Sequence, residues 1–135
     1  MTEPVESQTA RRQPMVAEVT LARRGRAAVV RATGALDSEN VAALDGELAR
    51  AAELAGQSRT VVDLSALEFA DSSVLHVLLD AQRRHRADDR QLVVCGPLRP
   101  VVDRLFGVTG TTEFFVLAED VDTAVNAAPV KGTLA

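Results

Sequence analysis

The chain has 135 residues, a formal net charge of −4, 47% hydrophobic and 25% charged residues, a mix that suits one globular domain and excludes wholesale disorder or two ordinary domains. Aromatics are 3%, with no Trp or Tyr, one Cys and two His; stacking platforms for bases, an internal disulfide and a zinc or haem site are not expected. The acidic balance argues against a nucleic-acid partner, whose affinity rests on neutralised phosphates. No apolar run reaches the ~18–20 residues of a membrane span and the polar start does not read as a signal peptide, so the expected location is the cytoplasm, with no direct membrane insertion.

In chain order, residues 1–14 contain Pro4, Pro14 and two arginines without an apolar period, and read as a flexible tail. Met15, Ala17, Val19 and Leu21 alternate with polar residues, predicting a half-buried strand. Arg23-Arg24-Gly25-Arg26 supplies a turn, and Ala27–Ala32 its antiparallel partner. Gly34-Ala35-Leu36-Asp37-Ser38 ends the hairpin, and Asp37 or Ser38 is placed to cap a helix carrying Val41, Leu44, Leu48 and Ala51 on one face. Thr60–Leu64 is a short β-branched run suited to a buried strand. Asp71-Ser72-Ser73 precedes a second amphipathic helix with Val74, Leu75, Leu78 and Leu79, running to about Arg86. Leu92–Cys95 is another buried strand, Pro100 opens a third helix with Val101, Val102, Leu105 and Phe106, Phe114–Leu117 is a last strand, and Glu119–Asn126 a last helix. Residues 128–135 read as a frayed end, leaving 15–127 as the domain. The order β-β-α-β-α-β-α-β-α, with about four helices, predicts an α/β fold with a mostly parallel sheet and an antiparallel edge hairpin. The free edge of that hairpin is a candidate for pairing with another chain.

Enzyme signatures are missing: there is no P-loop, no GxGxxG after a strand and no GxSxG elbow. Ser73 and His76 lie three apart on one helix with Asp71 just before it, whereas a hydrolytic triad draws its members from separate elements. His76 reads as a helix-surface residue, His85 as a cation at a helix C-terminus, and Cys95 as a small core residue. The arginine clusters, Arg23, Arg24, Arg26 and Arg83, Arg84, Arg86, read as solvated turn and helix-end charge. Asp71-Ser72-Ser73 supports two readings. Asp and Ser are ordinary helix caps. A serine on the first helical turn also offers its hydroxyl where a phosphate meets free amides and the positive helix end.

Val61-Val62-Asp63-Leu64-Ser65, Glu68-Phe69-Ala70-Asp71-Ser72-Ser73 and Leu78-Leu79 together resemble the signature of STAS domains, the anti-sigma factor antagonists of bacteria. Gly34-Ala35-Leu36-Asp37 and Leu105-Phe106-Gly107-Val108-Thr109-Gly110 resemble further family stretches in the expected order, so the likeness spans roughly residues 15–127. It implies a STAS-like fold without catalysis, metal or cofactor. The implied partner is an anti-sigma factor that is also a serine kinase, which phosphorylates the second serine of the motif, here Ser73, until a phosphatase restores binding. Asp37, Asp71, Ser72, Ser73 and Val74 are the implied partner-binding residues. The chain departs from the family at Val74, where Gly is usual and a β-branched side chain could crowd the kinase's approach, and at Ala35, where the family is acidic. The resemblance is equally compatible with an unphosphorylated scaffold subunit of a stress-signalling or transporter complex. A small hydrolase or nucleotide-binding protein is the contrasting class, which a turnover screen would expose.

Overall fold

The computed structural model describes residues 16–126 except 55 and 57; the expected tails, Met15 and residue 127 lie outside the described residues. Strands β1 (Glu18–Arg24), β2 (Ala27–Leu36), β3 (Arg59–Ala70), β4 (Gln91–Cys95) and β5 (Val116–Ala118) alternate with helices α1 (Ala42–Glu53), α2 (Ser72–Ala87), α3 (Pro100–Val108) and α4 (Val121–Asn126) in the predicted order. They form one sheet of order β1-β2-β3-β4-β5, in which β1 runs antiparallel to β2 and all other neighbours are parallel.

Parallel strands linked by helices are covered on both faces, and their sequences show it. Val30, Leu36, Val62, Leu64, Leu92 and Val94 are buried in one cluster with Leu44 and Leu48 of α1, Leu75 and Leu78 of α2, and Val102 and Phe106 of α3. Ala27, Val61, Val93 and Cys95 form a smaller cluster with Ala124 of α4. Ala17, just before β1, and Val19 and Leu21 within it pack against the larger cluster while Glu18 and Thr20 are exposed, as the alternation predicts. Gly34 has φ +80°, and a Cβ there would lie 2.2 Å from the Val16 carbonyl oxygen, so the backbone crossing at the start of β1 requires glycine.

Several element bounds and one side chain differ from expectation. β2 runs on to Leu36 rather than ending at Ala32. β3 is twelve residues long rather than the five of Thr60–Leu64. α1 begins at Ala42, after a turn, rather than directly at Asp37 or Ser38. Phe114 belongs to a 3-10 turn (Thr112–Phe114), and the last strand follows it at Val116–Ala118. His85 is not a surface cation: it is 1% exposed. Its Nδ1 lies 2.7 Å from the Ala81 carbonyl and its Nε2 2.7 Å from the Thr60 hydroxyl. A carbonyl only accepts, so Nδ1 carries the hydrogen and the Thr60 hydroxyl donates to Nε2. Burial pushes the His85 pKa down, with nearby Arg90 and Arg84 adding to the effect against the Ala81 bond. The ring is therefore a neutral bridge between α2 and β3 rather than a partner for the helix dipole. Cys95 is a core residue as expected, its thiol pushed up to about 12 by burial. Among the described residues, no helix is long and apolar enough to cross a membrane.

Candidate partner-binding site

Strand register creates the site. Arg31 of β2 pairs with Asp63 of β3, but Leu36 pairs with Ala70, so β3 takes two more residues than β2 over this stretch. Such irregularities bend a strand and re-aim its end. Their effect here is to bring the two strands to the same level, so that Asp37 and Asp71 leave the sheet side by side from neighbouring strand ends.

Asp71 has extended backbone angles and caps α2: its Oδ1 accepts the Ser73 amide at 2.9 Å and also the Ser73 hydroxyl. Its second oxygen, Oδ2, accepts the Ser38 amide at 3.3 Å from the loop after β2. One carboxylate thus joins the start of α2 to the β2–α1 loop. The Ser73 hydroxyl bond, together with the Ser73 and Ser38 amides, outweighs partial burial and holds the Asp71 carboxyl below the usual carboxylate range.

The β2–α1 loop is built around Asp37 and Asn40. Asp37 Oδ1 accepts the Glu39 amide at 2.9 Å, and Asn40 Oδ1 accepts the Asp37 amide at 2.8 Å. Asn40 Nδ2 donates to the Ala35 carbonyl at 3.0 Å, and the Asp37 carbonyl accepts the Val41 amide at 2.9 Å. Asp37 thus forms an Asx turn onto Glu39, and Asn40 reaches back to the Asp37 amide as the third residue of a capping box does. Asp37 therefore caps the turn that feeds α1, one turn earlier than the helix proper. Neither Asp37 nor Asp71 has an ion-pair partner among the described residues.

Asp37, Asp71, Ser72 and Ser73 are thereby brought together at one end of the sheet. Ser72 is exposed and Ser73 half-buried. Val74 lies differently from the expectation of a crowding side chain: it is fully buried in the larger core cluster. Its helical position, three residues after the cap, turns the isopropyl group inward, so it offers no side chain to a partner. Phe69, two residues before Asp71, is 41% exposed and adds an apolar group on the same strand end. The sequence marks Phe69 only as part of a motif, because the register shifts in β3 hide which face it takes. Sequence reasoning misses Asn40, whose signal is the Asp-x-x-Asn spacing from Asp37.

The side chains around Ser73 do not form a hydrolytic triad. The Ser73 hydroxyl gives its hydrogen to Asp71, not to His76, which is exposed further along α2. His85 is buried on Thr60 and Ala81, away from this cluster. No group of three or more His, Cys, Asp or Glu side chains among the described residues is arranged to hold a metal ion.

Comparison with known proteins points the same way. A family model described as "Mlab, STAS domain" matches residues 19–118. The chain is 32% identical over 94 residues to the putative anti-sigma factor antagonist BtrV of Bordetella bronchiseptica, covering 70% of this chain and 79% of that protein. In fold it is similar to an anti-sigma factor antagonist from Mycobacterium paratuberculosis, with TM-score 0.74 and 24% identity over 84% of this chain and 95% of that one. It is also similar in fold to SpoIIAA in its unphosphorylated form, with TM-score 0.67 and 19% identity over 84% of this chain and 100% of that one. The Bacillus SpoIIAA structure in the phosphorylated form gives TM-score 0.61 and 19% identity over 81% and 97%.

Proposed function

The chain belongs to the STAS family of anti-sigma factor antagonists, and from that premise we propose that it binds an anti-sigma factor that is also a serine kinase, freeing a sigma factor until Ser73 is phosphorylated. The observation that carries this reading is the clustering of Ser73, Asp71 and the Asp37 loop at one strand-end surface, on a chain 32% identical to a putative anti-sigma factor antagonist. The role is that of a binding module in the cytoplasm, and a phosphatase would reset it.

The physical basis of the switch is charge. A phosphate adds about −1.5 to −2 at Ser73, beside an Asp71 carboxylate already held ionised. The start of α2 offsets roughly 0.3–1 kcal/mol, so the free domain tolerates the group. A closed interface does not, because like charges and desolvation there cost several kcal/mol. A cost of about 4 kcal/mol is a thousandfold in affinity. Calorimetry against the anti-sigma partner tests it: Ser73→Ala binds constitutively, and Ser73→Glu binds far more weakly with an unchanged circular dichroism spectrum. Equal affinity of Ser73→Glu and wild type refutes the switch.

A second reading, a constitutive STAS subunit of a larger complex, draws support from the engagement of both the Ser73 amide and the Ser73 hydroxyl as donors to the Asp71 cap. Stable co-purification with a large assembly, unaffected by Ser73→Glu, would favour it.

A further inference from the structure

On the β5 side of the sheet, where β4 and β5 end, lies a cavity of about 510 Å³ lined by Val94, Cys95, Leu98, Leu117, Glu119 and Asp120, with Gly96, Pro97 and Ala118 between them. Its size falls within the roughly 300–1,000 Å³ of small-molecule sites. Val94 and Cys95, at the end of β4, are buried, Leu98 and Ala118 are half-buried, and Leu117, Glu119 and Asp120 are exposed. The apolar part of this lining is Val94, Leu98, Leu117 and Ala118 together with the Cys95 thiol, which is neutral.

The charge at the mouth has one sign. Glu119 and Asp120 have no ion-pair partner among the described residues; the Asp120 carboxylate accepts the Thr123 amide, at 2.8 Å through Oδ1, and the Thr123 side chain. Among the described residues, no Arg, Lys or His lines the cavity. The neighbouring Arg99 directs its Nε to the Ser65 carbonyl at 3.4 Å, and Arg31 pairs with Asp63 at 3.7 Å, on the same sheet row as Cys95. The Gly96 amide, which an anion would seek, is bonded to the Ala118 carbonyl at 3.3 Å.

We propose that this cavity is a binding site for a small organic cation, an alkylammonium whose chain lies over Cys95 and Leu98 and whose charged end meets Glu119 and Asp120. An anionic ligand of the same length finds apolar walls but a repelling mouth. The site shares no residue with the Ser73 cluster, so it stands or falls independently of the phosphate switch.

The test is a ¹⁵N-edited NMR titration of the full chain with n-hexylammonium chloride, and with sodium hexanoate at matched ionic strength. Hexylammonium shifts the amides of Cys95, Gly96, Leu98, Ala118 and Asp120 saturably, in the millimolar range expected of so small a ligand. Glu119→Gln weakens it about fivefold, the size of one solvent-exposed charge contact. Ala118→Leu, which fills the cavity from the edge strand, removes the shifts while the rest of the spectrum is retained. Equal binding of hexanoate, saturable shifts elsewhere only, or no saturation by about 50 mM overturns the proposal.

Discussion

Replacing Val74 by Gly, the residue usual in the family, is the sharpest perturbation of the site's scaffold. Val74 is 0% exposed, three residues after the Asp71 cap of α2. Removing a fully buried Val side chain forfeits about 1.5–3 kcal/mol of burial, with a further penalty for incomplete collapse of the space. Gly is also roughly 0.4 kcal/mol worse than Val within a helix. The expected loss is therefore about 3 kcal/mol for Val74→Gly and, because Ala is the better helix former, nearer 2 kcal/mol for Val74→Ala. With net stabilities of ~5–15 kcal/mol, both variants remain folded. For a domain of this size the Gly variant melts about 12 °C lower, at roughly 4 °C per kcal/mol. Urea unfolding followed by circular dichroism gives the free energies, and calorimetry on the folded variants gives partner affinity, expected to equal wild type. A Val74→Gly protein within about 1 kcal/mol of wild type would refute the inward placement of Val74. It would restore a partner-facing role for that side chain.

Two further perturbations separate structural from switching roles. Asp71→Ala removes the α2 cap and the tie to Ser38, with an expected cost of about 1–2 kcal/mol, whereas Asp71→Asn keeps an acceptor for the Ser73 amide and costs under about 0.5 kcal/mol; equal losses in thermal melts would contradict the capping geometry. For His85 the folded pKa is depressed, so below about pH 6.5 the unfolded chain takes up a proton that the folded chain does not. Stability therefore falls as pH drops through that region toward the folded pKa, by at most about 1.4 kcal/mol per pH unit. Urea unfolding at several pH values between about 7.5 and 5.5 should show a steeper dependence for wild type than for His85→Gln, and parallel curves would rule out a buried neutral ring.

Periodicity made the architecture legible. The alternation of Ala17, Val19 and Leu21, the β-branched runs at Val61 and Val93, and the spacing of Leu44, Leu48 and Ala51 each reflect one buried face. What they do not reveal is where a strand stops. Residues 65–70 of β3 mix Ser, Ala and Glu with Leu and Phe, and the register shifts against β2 break their alternation, so the strand reads from its letters as ending early. His85 was misread for a related reason. Its neighbours Arg83, Arg84 and Arg86 are exposed, and only the three-dimensional match to Thr60 on β3 reveals the one face of α2 that turns inward there. The site residues themselves were named from motif resemblance. Their adjacency comes from the pairing of Leu36 with Ala70, which local sequence does not encode.

The central claim is that Ser73 carries a regulatory phosphate. Mass spectrometry of the protein from its own cells, in growth and under stress, with peptide-level assignment between Ser72 and Ser73, tests it most directly. The account predicts phosphate on Ser73 with an occupancy that changes between the two conditions. Phosphate on Ser72 alone, or on neither serine in either condition, would contradict it and leave Asp71-Ser72-Ser73 as a helix cap.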